Sequence, residues 1–350
     1  MTTTMQAPFP YFGGKSKAAS EVWQAFGTVG NYVEPFAGSA AMLLAAPEQH
    51  PGKPPRIETI NDADGFVANF WRAIAYDPEA TAHHADWPCN EVDLSARHSW
   101  LVRQTKTLTE RLHADPDWFD AKIAGWWCWG ACNWIGDGWC SGEGPWVHDG
   151  EKMVDSRQLP HLGDAGQGIN RKLPHLSDAG HGINRKLPEI SARGIRRATD
   201  LPRREFIRQW FTDLHHRLRN VRVCCGDWGR VVKDSVTTRH GLTGVFLDPP
   251  YTKGAMQYAA GGVGTSLPLE VQAWAQANGH NPQLRIVLCG HAGEHDAMLA
   301  HGWHTRTWQA RKGYALTDEA TQNTKDETLW CSPHCVPQVG AMVDLFSEVA

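Results

Sequence analysis

The sequence predicts an α/β fold built on a mostly parallel sheet, and two observations carry that expectation. Short apolar runs recur without polar alternation, as expected of strands covered on both faces, and segments of helical periodicity stand among them. Four of these runs lead directly into loops holding Gly, Pro or an acid, the pattern of strands whose carboxyl ends carry ligands.

Asn31-Tyr32-Val33-Glu34 reads as a short strand entering Pro35-Phe36-Ala37-Gly38-Ser39. A helix of small residues, Ala40 to Ala46, follows and stops before Pro47. The next strand, Arg56 to Ile60, ends on Asn61-Asp62-Ala63-Asp64. Farther on, an amphipathic helix runs from Arg203 to Leu218, with Phe206, Ile207, Trp210, Phe211, Leu214 and Leu218 at helical spacing. Strands Val221 to Cys225, Gly244 to Leu247 and Leu284 to Cys289 come next. Thr305 to Gln309 and Glu327 to Cys331 are expected to pair antiparallel at a sheet edge.

The interval 66–202 differs: it is rich in Trp, then in Gly, Pro and basic residues. It contains a tandem repeat over 159–186, in which Leu159 to Lys172 recurs almost unchanged as Leu173 to Lys186. Two copies of so short a unit cannot stack a core, so the repeat reads as an extended surface loop. Each copy ends on an Arg-Lys pair, Arg171-Lys172 and Arg185-Lys186, suited to phosphate contacts.

The 350 residues can bury a large core, and 41% hydrophobic with 21% charged content is that of an ordinary globular protein. There is no apolar run of about 18 residues, so no membrane span is expected. The first residues lack the pattern of an export signal, and nine irregularly spaced cysteines suggest reduced thiols in the cytoplasm. A net charge of −4 does not itself suggest a nucleic-acid partner, yet residues 151–210 hold twelve Lys and Arg against seven acids. Such a local stripe can supply phosphate contacts. Cys128, Cys132 and Cys140 with His148, and Cys331, His334 and Cys335, lack the paired Cys-x-x-Cys spacing of zinc sites, so no metal is expected.

The strongest chemical signal is Asp248-Pro249-Pro250-Tyr251 after the strand Gly244 to Leu247. The prolines stiffen the turn, so the Asp248 carboxylate and the Pro249 carbonyl become two acceptors in fixed relation. That pair suits an aromatic amine, whose lone pair is delocalised into its ring. Accepting both amino hydrogens draws the nitrogen toward a pyramid and frees the lone pair for attack on a sulfonium methyl. Tyr251 offers a face for stacking. In Glu34-Pro35-Phe36-Ala37-Gly38-Ser39, Gly38 permits close backbone approach to a ligand. Asp62 ends the following strand, where an acid can accept from ribose hydroxyls. Tyr11-Phe12-Gly13-Gly14-Lys15 can turn its cation onto a carboxylate, and Asp227-Trp228 offers an acid beside a ring, suited to adenine.

In this order the motifs resemble the Dam-like, alpha-class (D12) DNA adenine methyltransferase family. The resemblance covers about residues 8–66 and 203–331. It implies a Rossmann-like S-adenosylmethionine-dependent methyltransferase fold, a mostly parallel sheet with an antiparallel edge strand. The catalytic domain would span 1–65 and 203–350, with a target-recognition region inserted at 66–202. Tyr11, Lys15, Glu34, Phe36, Gly38, Asp62, Asp227, Trp228 and Asp248 would surround S-adenosylmethionine. Asp248, Pro249, Pro250 and Tyr251 would hold an adenine flipped out of double-stranded DNA in a bacterial or phage-infected cell. The middle does not resemble the recognition domain of the bacterial prototype, and Tyr11-Phe12 departs from the tryptophan-containing version, which leaves the target sequence open. Neither a partner restriction endonuclease nor the oligomeric state can be read. Cytosine amino methylation is the near alternative, although that group usually carries Ser in place of Asp248; RNA is another substrate to weigh. A catalytically silent DNA-binding homologue fits less well, since each catalytic position holds a competent residue. A dehydrogenase lacks its Gly-x-Gly-x-x-Gly here.

Overall fold

The computed structural model describes residues 5–11, 15–48, 55–134, 139–140, 202–250, 267–307 and 327–338, and the backbone of 146–148 and 153–155. In chain order the elements are α1 (Ala19–Phe26), β1 (Asn31–Glu34), α2 (Ala41–Leu44), β2 (Ile57–Asp62), α3 (Gly65–Tyr76), α4 (Pro78–Ala85), α5 (Glu91–Ala114) and α6 (Ala121–Asn133). They continue with β3 (Trp146–His148), β4 (Met153–Asp155), α7 (Arg203–Leu218), β5 (Val221–Cys225), β6 (Thr243–Leu247), α8 (Leu267–Asn278), β7 (Leu284–His291), β8 (His304–Thr307) and β9 (Glu327–Cys331).

Seven strands form one sheet in the order β5-β2-β1-β6-β7-β9-β8. The first five are parallel to their neighbours. β9 runs against both β7 and β8. The reversed strand therefore lies one position in from the edge, where an antiparallel edge strand was expected. Its side chains explain the place: Leu329, Trp330 and Cys331 are fully buried, and an inner strand can cover them. β8 takes the edge with Thr305 exposed, while its Arg306 is buried and donates to Glu21 O and Val336 O. β5, at the opposite edge, is only partly covered rather than buried on both faces, with Arg222 exposed. β1 and β6 are buried throughout, as their apolar runs predict.

α3 to α6 start on side-chain caps, which satisfy first-turn amides that the helix leaves unpaired. Asp64 accepts from Phe66 N at 2.8 Å to start α3, and Asp77 accepts from Ala80 N at 2.9 Å ahead of Pro78 in α4. Asn90 and Asp120 cap α5 and α6 in the same way. α7 buries Ile207, Phe211, Leu214 and Leu218 along one face, while Phe206 and Trp210 are half-buried. From α3, Arg72 donates to the carbonyls of Leu112, Asp115 and Trp118, fastening the end of α5. The buried side chains of α3 to α6 share one hydrophobic core with those of α1, α7 and Tyr32 of β1. Among the described residues no helix is long and apolar enough to cross a membrane. The tandem repeat 159–186 lies outside the described residues.

Candidate active site

The order of strands reverses between β1 and β6, and open α/β sheets bind ligands outside the carboxyl ends at such a point. Asp227, Asp62, Glu34 and Asp248 stand at or just after the carboxyl ends of β5, β2, β1 and β6. The strand order β5-β2-β1-β6 therefore sets these four acids in a row along one edge of the sheet.

The loop after β1 is held from β2. Ala37 N donates to Asn61 O at 2.9 Å, and the Asn61 amide donates to Pro35 O and Gly226 O at 3.0 and 2.9 Å. Asp62 accepts from Gly38 N at 2.8 Å through Oδ2 and from Asp64 N at 2.9 Å through Oδ1. Gly38 has φ +46°, and a Cβ there would lie 2.9 Å from Tyr11 Cζ and closer still to Cε1 and Cδ1. Trp71 closes the back of the loop by donating to Gly38 O at 2.8 Å. Ala40 also sits in the left-handed region, at φ +50°, a conformation that costs a non-glycine residue on the order of 1–2 kcal/mol.

The acids differ in environment. The Glu34 carboxylate is buried, accepting from Tyr32 Oη at 2.9 Å and Leu43 N at 3.3 Å. Burial pushes its pKa up to about 8, helped by the Asp248 and Asp62 charges and opposed by those hydrogen bonds. Burial likewise lifts Asp62 to about 7, with Asp64 adding to the rise and backbone donors opposing it. Lys15 is 5% exposed, its Nζ 3.5 Å from Asp248 Oδ1 and 3.2 Å from Glu327 Oε1. Burial works to lower the Lys15 pKa, but Asp248, Cys289 and Glu327 outweigh it and hold the ammonium above its ordinary value. Because β9 is reversed, its first residue, Glu327, lies at the same sheet edge as the ends of the parallel strands.

Phe36 and Trp228 stack with centroids 5.9 Å apart, and Trp274 meets Trp228 edge-on at 6.2 Å. Asp227 is exposed and accepts from Gly229 N at 3.0 Å, which caps a short turn. These rings lie beside the glycine loop, where Asp62 stands partly exposed and the Tyr11 ring packs on Gly38, so aromatic faces and an acceptor that fit a nucleoside are present together.

Tyr11, Lys15, Glu34, Phe36, Gly38, Asp62, Asp227, Trp228, Asp248, Pro249 and Pro250 thus stand along this edge or on residues bonded to it. The carboxylate of Glu34 points toward Tyr32 and Leu43. Tyr251, Phe12 to Gly14, and Arg171, Lys172, Arg185 and Lys186 lie outside the described residues. Sequence reasoning missed Glu327, and it named Asn61 and Asp64 in the loop after the second strand without giving either a role. An Asp directly before an apolar helical run is a readable cap signal, but nothing local ties Glu327 to a lysine 312 residues away. The Cys128 and Cys132 thiols face Pro8 O, and the described residues hold no group of three or more His, Cys, Asp or Glu able to bind a metal.

A mostly parallel seven-stranded sheet with this edge fits the methyltransferase class of α/β folds. Residues 11–89 match the family described as D12 class N6 adenine-specific DNA methyltransferase, and that family implies methylation of adenine in DNA. The matched interval carries Tyr11, Lys15, the Glu34 to Gly38 loop and Asp62, and ends before Asp227 and Asp248. No curated relative matches the chain.

Proposed function

We propose that the chain transfers a methyl group from S-adenosylmethionine to the exocyclic amino nitrogen of an adenine in double-stranded DNA. The observation that carries the reading is Asp248 at the β6 end, 3.5 Å from the buried ammonium of Lys15, on the edge that also holds Asp62 and the Gly38 loop. The cofactor, when bound, supplies a methyl group on a positively charged sulfur. Asp62, held by Gly38 N, would accept from its ribose, Gly38 would let the Tyr11 ring close on the loop beside it, and Phe36 with Trp228 would cover its base.

Asp248 and the Pro249 carbonyl would accept the two amino hydrogens of the target, drawing its nitrogen toward a pyramid. Lys15, fixed between Asp248 and Glu327, would hold the acceptor carboxylate in one orientation. Taking the base out of the duplex costs a few kcal/mol of unstacking, which Tyr251 would offset by stacking. The interval 66–202 would serve target recognition, with Arg171, Lys172, Arg185 and Lys186 on backbone phosphates.

The test is transfer of labelled methyl groups to duplex DNA, followed by digestion to nucleosides. Label in N6-methyladenine supports the reading; label in N4-methylcytosine moves it to the cytosine amine, and no transfer refutes it.

A further inference from the structure

Away from the sheet edge, α4, α5, α6 and the loop between α4 and α5 line a half-open cavity of about 480 Å³. That lies within the range of small-molecule sites, roughly 300–1,000 Å³. Trp87, Trp100, Trp126, Arg97, Arg103 and His84 line it. Arg97 is the unusual member. Its guanidinium lies over three rings, 5.1 Å from Trp87, 4.8 Å from Trp126 and 4.3 Å from Trp129. The side chain is 92% buried, yet Nη1 has no hydrogen-bond partner.

An unpaired buried donor costs on the order of 1–3 kcal/mol and more when charged. Arg97 also lines the cavity, so an anion seated there would lie against its positive charge. Arg103 is a second cation in the lining, and Lys122 stands on the same rings, 4.8 Å from Trp100 and 4.5 Å from Trp126. Asp93, the one acid among the described lining residues, already accepts from the Trp87 indole at 2.6 Å and from the Asn90 amide. Trp87 is 46% exposed, so part of its surface is open to a flat ligand. Aromatic stacking with cations alongside is how proteins hold nucleotides without reading their sequence.

We infer that this cavity is a second nucleotide site, which seats a phosphate on Arg97 and stacks the attached base on Trp87. The chain geometry agrees with a nucleic-acid source. Arg203, first residue of α7, lies within the basic stretch 151–210 and donates to Trp87 O at 3.0 Å. The inference does not rest on methyl transfer, because no residue of the sheet edge takes part.

Calorimetry on the full chain with thymidine 5′-monophosphate, thymidine and inorganic phosphate tests it. Thymidine monophosphate should bind at least tenfold more tightly than either of the others, and Arg97→Met should remove that binding. Trp87→Ala, at a half-exposed position that leaves the fold standing, should weaken it tenfold or more. Asp248→Ala should leave it unchanged while transfer is lost, which separates this site from the catalytic reading. Photocrosslinking of a duplex bearing 5-iododeoxyuridine distinguishes the sources. Attachment to Trp87 or Trp100 assigns a nucleotide of the strand, whereas monophosphate binding without attachment assigns a free nucleotide. Absence of monophosphate binding, equal binding of inorganic phosphate, or unchanged binding in Trp87→Ala would overturn the site.

Discussion

Replacing Gly38 with Ala probes the loop on which the cofactor reading depends. The backbone there has φ +46°, a region that costs an L-residue about 1–2 kcal/mol. The new Cβ would also run into the Tyr11 ring, and overpacking of this kind costs about 1–3 kcal/mol. Together they predict a loss of about 2–5 kcal/mol, read as a lower denaturation midpoint. The two contributions separate experimentally. Adding Tyr11→Ala removes the collision and leaves the backbone conformation, so a double-mutant cycle should give a coupling of about 1–3 kcal/mol in the relieving direction. Cofactor affinity should fall in Gly38→Ala, because Gly38 N anchors Asp62 at 2.8 Å. Denaturation curves for four proteins and calorimetry with S-adenosylmethionine suffice. Wild-type stability in Gly38→Ala, or strict additivity in the cycle, would refute the close approach of Tyr11 to the loop.

Asp62→Ala should weaken S-adenosylmethionine by about 1–3 kcal/mol, the cost of leaving hydrogen-bonding groups unpaired, and unchanged affinity by calorimetry would remove Asp62 from the site. Glu34 titrates near 8 in the folded chain against an ordinary 4.5, so native protein keeps a proton that unfolded protein releases. Its contribution is fully present below pH 4.5 and is lost as pH rises through about 8, at up to ~1.4 kcal/mol per pH unit. Glu34→Gln, which stays neutral, should therefore gain stability relative to wild type between pH 5 and 9; parallel curves would contradict the shift. Deleting one 14-residue copy of the 159–186 repeat should weaken DNA binding and flatten the salt slope by about one to two units, leaving cofactor affinity alone. A wild-type slope in the deletion would make the repeat a neutral loop.

Much of the sheet was legible because its strands are short, apolar and followed by informative loops. β1, β5 and α7 have the bounds that their residues predict, and β6 differs by a single residue at its start. β2 and β7 each run two residues farther than their apolar stretches, into Asn61-Asp62 and Gly290-His291, because backbone pairing continues where side-chain apolarity stops. The helices α3 to α6 were not legible as such. α6 is apolar around most of its circumference, with Trp127, Cys128, Trp129 and Gly130 buried in succession, so it shows little helical period. α5 is long and largely exposed, and its buried residues are spread too thinly to mark a stripe.

At the site, the local motifs named Asp62, Lys15 and Asp248, since each lies in a loop whose composition departs from its surroundings. Their partners were another matter. Glu327 meets Lys15 only through the reversed β9, and sheet topology of that kind leaves no trace in either local sequence. Arg97 was passed over for a related reason: the stretch around it shows no clear period, and its rings come from two other segments, Trp87 ahead of α5 and Trp126 with Trp129 on α6.

The central claim is that Asp248 accepts from the amine of an adenine while the methyl group is transferred. Sequencing with modified-base detection tests it most directly, on DNA from cells producing either the wild-type chain or Asp248→Ala. N6-methyladenine should appear at one recurring sequence context with the wild type and not with Asp248→Ala, both proteins being folded to the same degree. Modified cytosine in place of adenine, no modified base with the wild type, or methyladenine persisting within tenfold in Asp248→Ala would contradict it.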